Sequence, residues 1–178
     1  MGVRHLARQR AVQLLYALEF AQESDEPADI ERAFLSADRE HRRGWGPFAR
    51  SLARQTWEHR DELDAAIRPT LKNWTLERLP IVDRLCLRLA LCELAYFPDI
   101  PLRVTINEYI EMARLFGNDE SPVYINAVLD TLARAFPHKD FNVHEDPSEE
   151  PTADPGARLD LPKQPAPNHH DHRKDART

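Results

Sequence analysis

The sequence predicts an all-α protein, two packed helical subdomains followed by a disordered C-terminal tail. Apolar residues recur at three- and four-residue spacings through most of the first 136 positions, the signature of helices with one buried face. Proline and glycine fall at the ends of these stretches, where helices start and stop. Half of the 14 prolines lie beyond residue 136, among many acids and few apolar residues. That composition cannot bury enough surface to offset its ordering entropy.

The first helix covers residues 3–20, with Ala7, Ala11, Leu14, Leu15 and Leu18 as its buried stripe. Arg4, His5, Arg8 and Arg10 cluster near its start, and no acid precedes Glu19. Arginines at a helix N-terminus oppose the macrodipole and cost stability, which makes most sense if an anion approaches. Two other readings stay open at this point: an organellar transit peptide, and a solvated cationic face with no partner. Residues 21–29 form a polar link, and Ile30 and Phe34 mark a short second helix. Residues 38–46 read as a charged turn in which Arg42 and Arg43 are solvated. One long helix is expected over 48–67, with Phe48, Leu52, Leu63 and Ile67 inward, stopped by Pro69. Trp57 reads as a core or boundary aromatic.

A connector over 71–79, holding Trp74, separates the subdomains at about 3–70 and 71–136. Pro80 opens a helix through Tyr96. Leu85, Leu89, Cys92 and Tyr96 line one face, and Leu87, Leu91 and Leu94 widen it, so this helix should be the most buried. The last two helices form an antiparallel hairpin. Pro101 suits a first helical position, and Leu102, Ile106, Tyr109, Ala113 and Phe116 share a face. Gly117 stands where a left-handed cap is wanted. Ser121 is the expected N-cap, with Pro122 behind it, and Ile125, Leu129, Leu132 and Phe136 make the second face.

Composition narrows the function. The 178 residues are 42% hydrophobic and 30% charged, with net charge −6, an ordinary soluble balance. No apolar run approaches the roughly 20 residues of a membrane span. Cys86 and Cys92 are about 9 Å apart along one helix, too far for a disulfide there, and fit a reduced, cytoplasmic protein. With 5 glycines there is no phosphate-cradling loop, and no serine elbow, HExxH or CxxC is present. An enzyme is not expected, nor a cofactor or metal site. His169, His170 and His172 read as part of a polar tail.

The hairpin carries a resemblance. Ile106-Asn107-Glu108-Tyr109-Ile110-Glu111-Met112-Ala113-Arg114, then Gly117, then Ser121 to Asp130, resembles the C-terminal half of the NusB family of bacterial transcription antitermination factors. Ala7-Arg8 with Ala11-Val12-Gln13-Leu14-Leu15-Tyr16, Leu87-Arg88-Leu89-Ala90-Leu91 and Glu93-Leu94 are similar to that family too. The resemblance implies a NusB-like fold over 3–136. It implies partnership with NusE, a small ribosomal subunit protein, on boxA-type RNA. The pair would join the RNA polymerase antitermination complex and suppress premature termination, notably on ribosomal RNA operons. Some members of the family self-associate, so a homodimer covering the basic face is a further possibility.

Position by position, the resemblance implies RNA contacts at Arg4, His5, Arg8, Tyr16, Glu120 and Tyr124, and an acid facing NusE at Asp83. Arg10 joins the set from its local charge. Asn126 falls on the motif, with helix bracing as its alternative; the alternatives for Tyr124 and Asp83 are hairpin packing and dipole compensation. Arg4-His5-Leu6 is sparser in arginine than the opening of many members. The start of the chain and the loop before the last helix are expected to meet and grip one ribonucleotide strand. A helical adaptor that binds protein but not RNA is the competing function, and charge reversal at Arg8 is expected to separate the two.

Overall fold

The computed structural model describes residues 2–22, 26–37, 46–72, 74–136 and 159, without the side chains of 35–37. Among them are seven α-helices and two short 3₁₀ turns, and no strand. The helices are α1 (Val3–Glu19), α2 (Pro27–Ala37), α3 (Gly46–Glu58), α4 (Arg60–Ile67), α5 (Ile81–Tyr96), α6 (Leu102–Phe116) and α7 (Ser121–Ala133). The expected all-α class is what the chain adopts. The expected Arg42–Arg43 turn and the tail expected to be disordered, 137–178, lie outside the described residues, except Leu159, which packs against the core.

α5 is the axis of the molecule. Residues 85–94 are buried without interruption, because α1, α3, α4, α6 and α7 all pack on it. The predicted stripes of α1 and α5 are fully inside. The hairpin stripes are buried too, with Ile106, Phe116 and Phe136 at their margins. One continuous apolar cluster joins the halves, and Phe48 of α3 meets Phe97 edge-on at 5.5 Å. No helix among the described residues is long and apolar enough to cross a membrane.

Local differences from the sequence reading have physical causes. The helix expected over 48–67 is two helices interrupted at His59, where ψ opens to 12°. The hydrogen-bond ladder still crosses the joint, from the His59 N–H to Gln55 O and from the Leu63 N–H to His59 O. The His59 ring stacks on Tyr96 at 4.6 Å. Across the joint Leu63 and Ile67 stay buried while Asp64 meets α5.

The α6–α7 loop corrects two expectations. Gly117 is extended (φ −92°, ψ −162°), not left-handed. It must nevertheless be glycine, because a Cβ there would lie 2.6 Å from both Ala113 O and Ser121 Oγ. The capping group of α7 is Asn118 rather than Ser121. Asn118 Oδ1 accepts from the N–H groups of Glu120 (2.9 Å) and Ser121 (3.0 Å), and Ser121 Oγ accepts the Asn118 N–H at 3.0 Å. This reciprocal pairing is a capping box shifted three residues upstream. Pro101 and Pro80 likewise sit just before their helices as N-caps.

Candidate nucleic-acid interface

Two buried polar clusters set the direction of every helix that carries a candidate residue. The first centres on Glu93 of α5. Arg8 Nε and Nη2 donate to its two oxygens, both at 2.9 Å, as a bidentate fork. The Thr105 hydroxyl donates to Oε1 at 2.8 Å and the Tyr109 hydroxyl to Oε2 at 3.2 Å. Burial alone would pull the Arg8 guanidinium down, but the Glu93 charge and hydrogen bonds hold it above its ordinary value. Burial, then Glu93, drives the Tyr109 phenol well up, so it remains a donor.

The second cluster lies one to two turns back along α5, on Arg88 and Arg84. Arg88 forks onto Asp64 of α4 (2.7 and 2.8 Å) and reaches Glu19 of α1, which also takes Arg84 at 3.1 Å. Arg8 meeting Glu93, and Glu19 meeting Arg84, make α1 antiparallel to α5. Thr105 at Glu93, and Ser121 at Asp83, make α6 antiparallel to α5 as well. α1 and α6 therefore run the same way, and His5 of α1 donates from Nδ1 to Glu108 Oε2 of α6 at 2.8 Å.

This framework sorts the predicted contacts. Arg4, His5 and Arg10 are partly exposed at the head of α1, with Arg10 Nη1 bonded to Gln13 at 2.9 Å. Tyr16 is 44% exposed, and its ring lies 4.9 Å from that of Phe20, itself well exposed. Glu120 is exposed on the α6–α7 loop, and Tyr124 is half-buried one turn into α7. The Tyr124 phenol oxygen is buried with no hydrogen-bond partner among the described residues, and burial, then Asp83, pushes its pKa up. Asn126 Nδ2 reaches Asp130 at 3.4 Å, the bracing contact expected as its alternative.

Three expectations do not survive this geometry. Arg8 is 1% exposed, and its fork is spent on Glu93 inside the bundle, so it is no surface contact for RNA. Asp83 is 3% exposed, beside Ser121 and with its Oδ1 buried and without a hydrogen-bond partner among the described residues, so it faces inward rather than toward a partner. Burial raises its pKa, and the Ser121 contact only partly opposes this. Nor do the head of α1 and the loop before α7 meet. They lie at the levels of Glu93 and Asp83, ten helical residues or about 15 Å apart along α5. Tyr16 belongs to the loop's end of the bundle, eight residues along α1 from Arg8.

Sequence reasoning missed the roles of Glu93, Thr105 and Tyr109, and the aromatic Phe20 beside Tyr16. One signal for Arg8 was present: Ala11, Val12 and Leu15 stand three, four and seven residues after it, which places it on the buried side of α1.

The comparisons with known proteins agree with this architecture. Residues 5–134 match the model of the NusB family. The chain belongs to the NusB family. The transcription antitermination protein NusB of Geobacter sulfurreducens is 41% identical over 139 residues, covering 78% of this chain and 99% of that protein. NusB of Myxococcus xanthus is 42% identical over 137 residues, covering 76% and 97%. Among solved structures, T. maritima NusB superposes with a TM-score of 0.65 at 33% identity, over 74% of this chain and 90% of that one. A crystal structure of the antitermination factors NusB and NusE in complex with dsRNA shares the NusB-like fold, with a TM-score of 0.66 at 20% identity, over 75% and 98%.

Proposed function

We propose that this chain is a transcription antitermination factor that binds boxA-type RNA together with NusE and suppresses premature termination, notably of ribosomal RNA operons. The observation that carries the reading is the match to antitermination proteins along almost their whole length. It works by assembly rather than catalysis, in the cytoplasm, and no residue is asked to do chemistry. The binding unit is the helical region 3–136, organised about the division near residue 70.

The RNA-facing set is Arg4, His5 and Arg10 at one end and Tyr16, Glu120, Tyr124 and Asn126 at the other. About 15 Å separates the ends, roughly four to five stacked nucleotides at 3.4 Å each. The cations suit phosphates, and the tyrosines suit unpaired bases. Arg8 and Asp83 hold this surface from beneath. The exposed Tyr16–Phe20 pair marks that end of α1 for a protein partner.

About three cationic contacts to single-stranded RNA give a salt slope near −2, which is modest for an acidic chain and supports a protein partner. Titration of boxA-type RNA with and without NusE, over a salt series, tests the reading. Tighter binding with NusE is expected, with preference over a scrambled strand; no such preference in either condition rejects it. The burial of Arg8 favours one competing reading, a protein-binding adaptor that does not hold RNA. Charge reversal at Arg8 cannot separate the two, because it would break the Glu93 cluster. The double variant Arg4→Glu, Arg10→Glu does so, abolishing RNA retention in the first case and changing nothing in the second.

A further inference from the structure

Trp74 stands in the connector between the subdomains, and the RNA-facing set gives it no role. It is 54% exposed, one of the few large apolar side chains that the described residues turn to solvent. Its loop is nonetheless fixed on both sides. One 3₁₀ turn precedes it at Arg68–Thr70 and another follows at Leu76–Arg78. Leu76 and Leu79 are buried, and Arg68 Nη2 donates to Glu77 Oε1 at 2.8 Å, clasping the two turns together. A loop so pinned needs little further ordering when a ligand covers its exposed ring.

Position and charge say what covers it. Tyr96 reaches Glu62 and Arg88 reaches Asp64, so α4 runs antiparallel to α5 and delivers the chain to the head of α5. The 68–70 turn lies against α7. The connector then enters α5 after Pro80, close to Asp83, which lies beside Ser121 and whose charge reaches the Tyr124 phenol. Trp74 is therefore at the same end of the bundle as Tyr124 and Glu120. That end carries the tyrosines of the proposed RNA face, while the cations of that set stand at the head of α1. Residues 68–82 supply what is missing there: three cations, Arg68, Lys72 and Arg78, against one acid, Glu77, in a chain of net charge −6. All three cations are exposed.

We propose that the connector is a further RNA-binding segment: a base stacks on the Trp74 indole while Lys72, Arg78 and the open edge of Arg68 meet the adjoining phosphates. The inference rests on the RNA-binding reading above and carries its track past Tyr124. Stacking on an exposed indole needs no particular base, because every base has a π-face. The core of a protein interface is apolar and poor in charge. The residues around Trp74 are instead polar and exposed, Lys72, Thr75, Glu77 and Arg78, which suits a phosphate-bearing strand.

The test is the affinity for a boxA-type oligoribonucleotide in the presence of NusE, for the full chain and its Trp74→Ala, Trp74→Phe and Lys72→Gln/Arg78→Gln variants. Trp74→Ala is expected to weaken binding by about five- to a hundredfold through loss of one stacked base. Trp74→Phe keeps a ring and should retain most of the affinity. RNA should quench a part of the tryptophan emission of the full chain that is missing from Trp74→Phe. The double glutamine variant should lower the salt slope by about 0.7 for each cation removed. Affinity for NusE, measured without RNA, should be the same in all four proteins. RNA held as tightly by Trp74→Ala as by the full chain overturns this inference and leaves the RNA reading standing. A Trp74→Ala variant that loses NusE without RNA present, with RNA affinity of the chain alone unchanged, assigns the connector to the protein partner and overturns it too. Absence of RNA binding by all four proteins overturns the RNA reading and this inference with it.

Discussion

Arg8 shows how one side chain changes meaning between a string and a fold. As a letter it is one cation among four at the start of α1; in space it is the interior anchor of α1 on α5 and α6. Arg8→Ala would strand a buried Glu93 and is expected to cost about 3–5 kcal/mol, read as a lower urea midpoint. Any loss of RNA binding by that variant should follow its unfolding. Asp83 gives the opposite prediction. Burial raises its folded pKa, so the folded state holds the proton more tightly than the unfolded chain, and stability falls as pH rises through that window. Asp83→Asn should therefore be more stable than the parent at pH 7. The advantage should vanish below about pH 4, where the aspartate is protonated in both states. Urea titrations at the two pH values check both statements. Of the proposed site, that Arg4, His5, Tyr16 and Tyr124 reach the surface was legible in the sequence. Which cation faces water was not, since a charge cluster carries no label for the one that finds a buried carboxylate 85 residues away.

At the scale of elements, helix existence was readable almost everywhere because the apolar period is local. The joints were less so. The α6–α7 turn depends on a backbone approach too close for any Cβ, and on a capping box begun by Asn118. Gly117→Ala is expected to lower stability by about 1–3 kcal/mol through the clash with Ala113 O and Ser121 Oγ. Asn118→Ala should cost about 0.5–2 kcal/mol through loss of the cap. Thermal unfolding ranks them, and a Gly117→Ala variant as stable as the parent would contradict the close approach. The His59 joint in the expected 48–67 helix has the same origin. Stacking on Tyr96 and the Asp64–Arg88 fork are tertiary contacts that no periodicity announces.

For the whole molecule, the decisive fact is that α5 is buried and shared, so α1 and α6 are both aligned on it, and the His5–Glu108 and Arg8–Glu108 contacts tie the two to each other. That alignment stretches the proposed RNA face along the bundle. Arg4→Gln and Arg10→Gln are each expected to reduce the salt slope by about 0.7 and to weaken binding alike for all sequences. Glu120→Gln removes a like charge from the path of the strand and is expected to tighten binding a few-fold, most at low salt. Filter-binding over a salt series measures both.

The sequence by itself determined the helical class, the faces that turn inward, the family and the chemistry at hand, because helical periodicity and motif spacing are properties of neighbours along the chain. The tertiary structure alone decided that Arg8 and Asp83 lie inside, that Glu108 holds His5, and that the two ends of the proposed RNA face stand about 15 Å apart. Those outcomes depend on charge pairs and packing between residues distant in sequence, whose energies exist only once α5 has been covered from both sides.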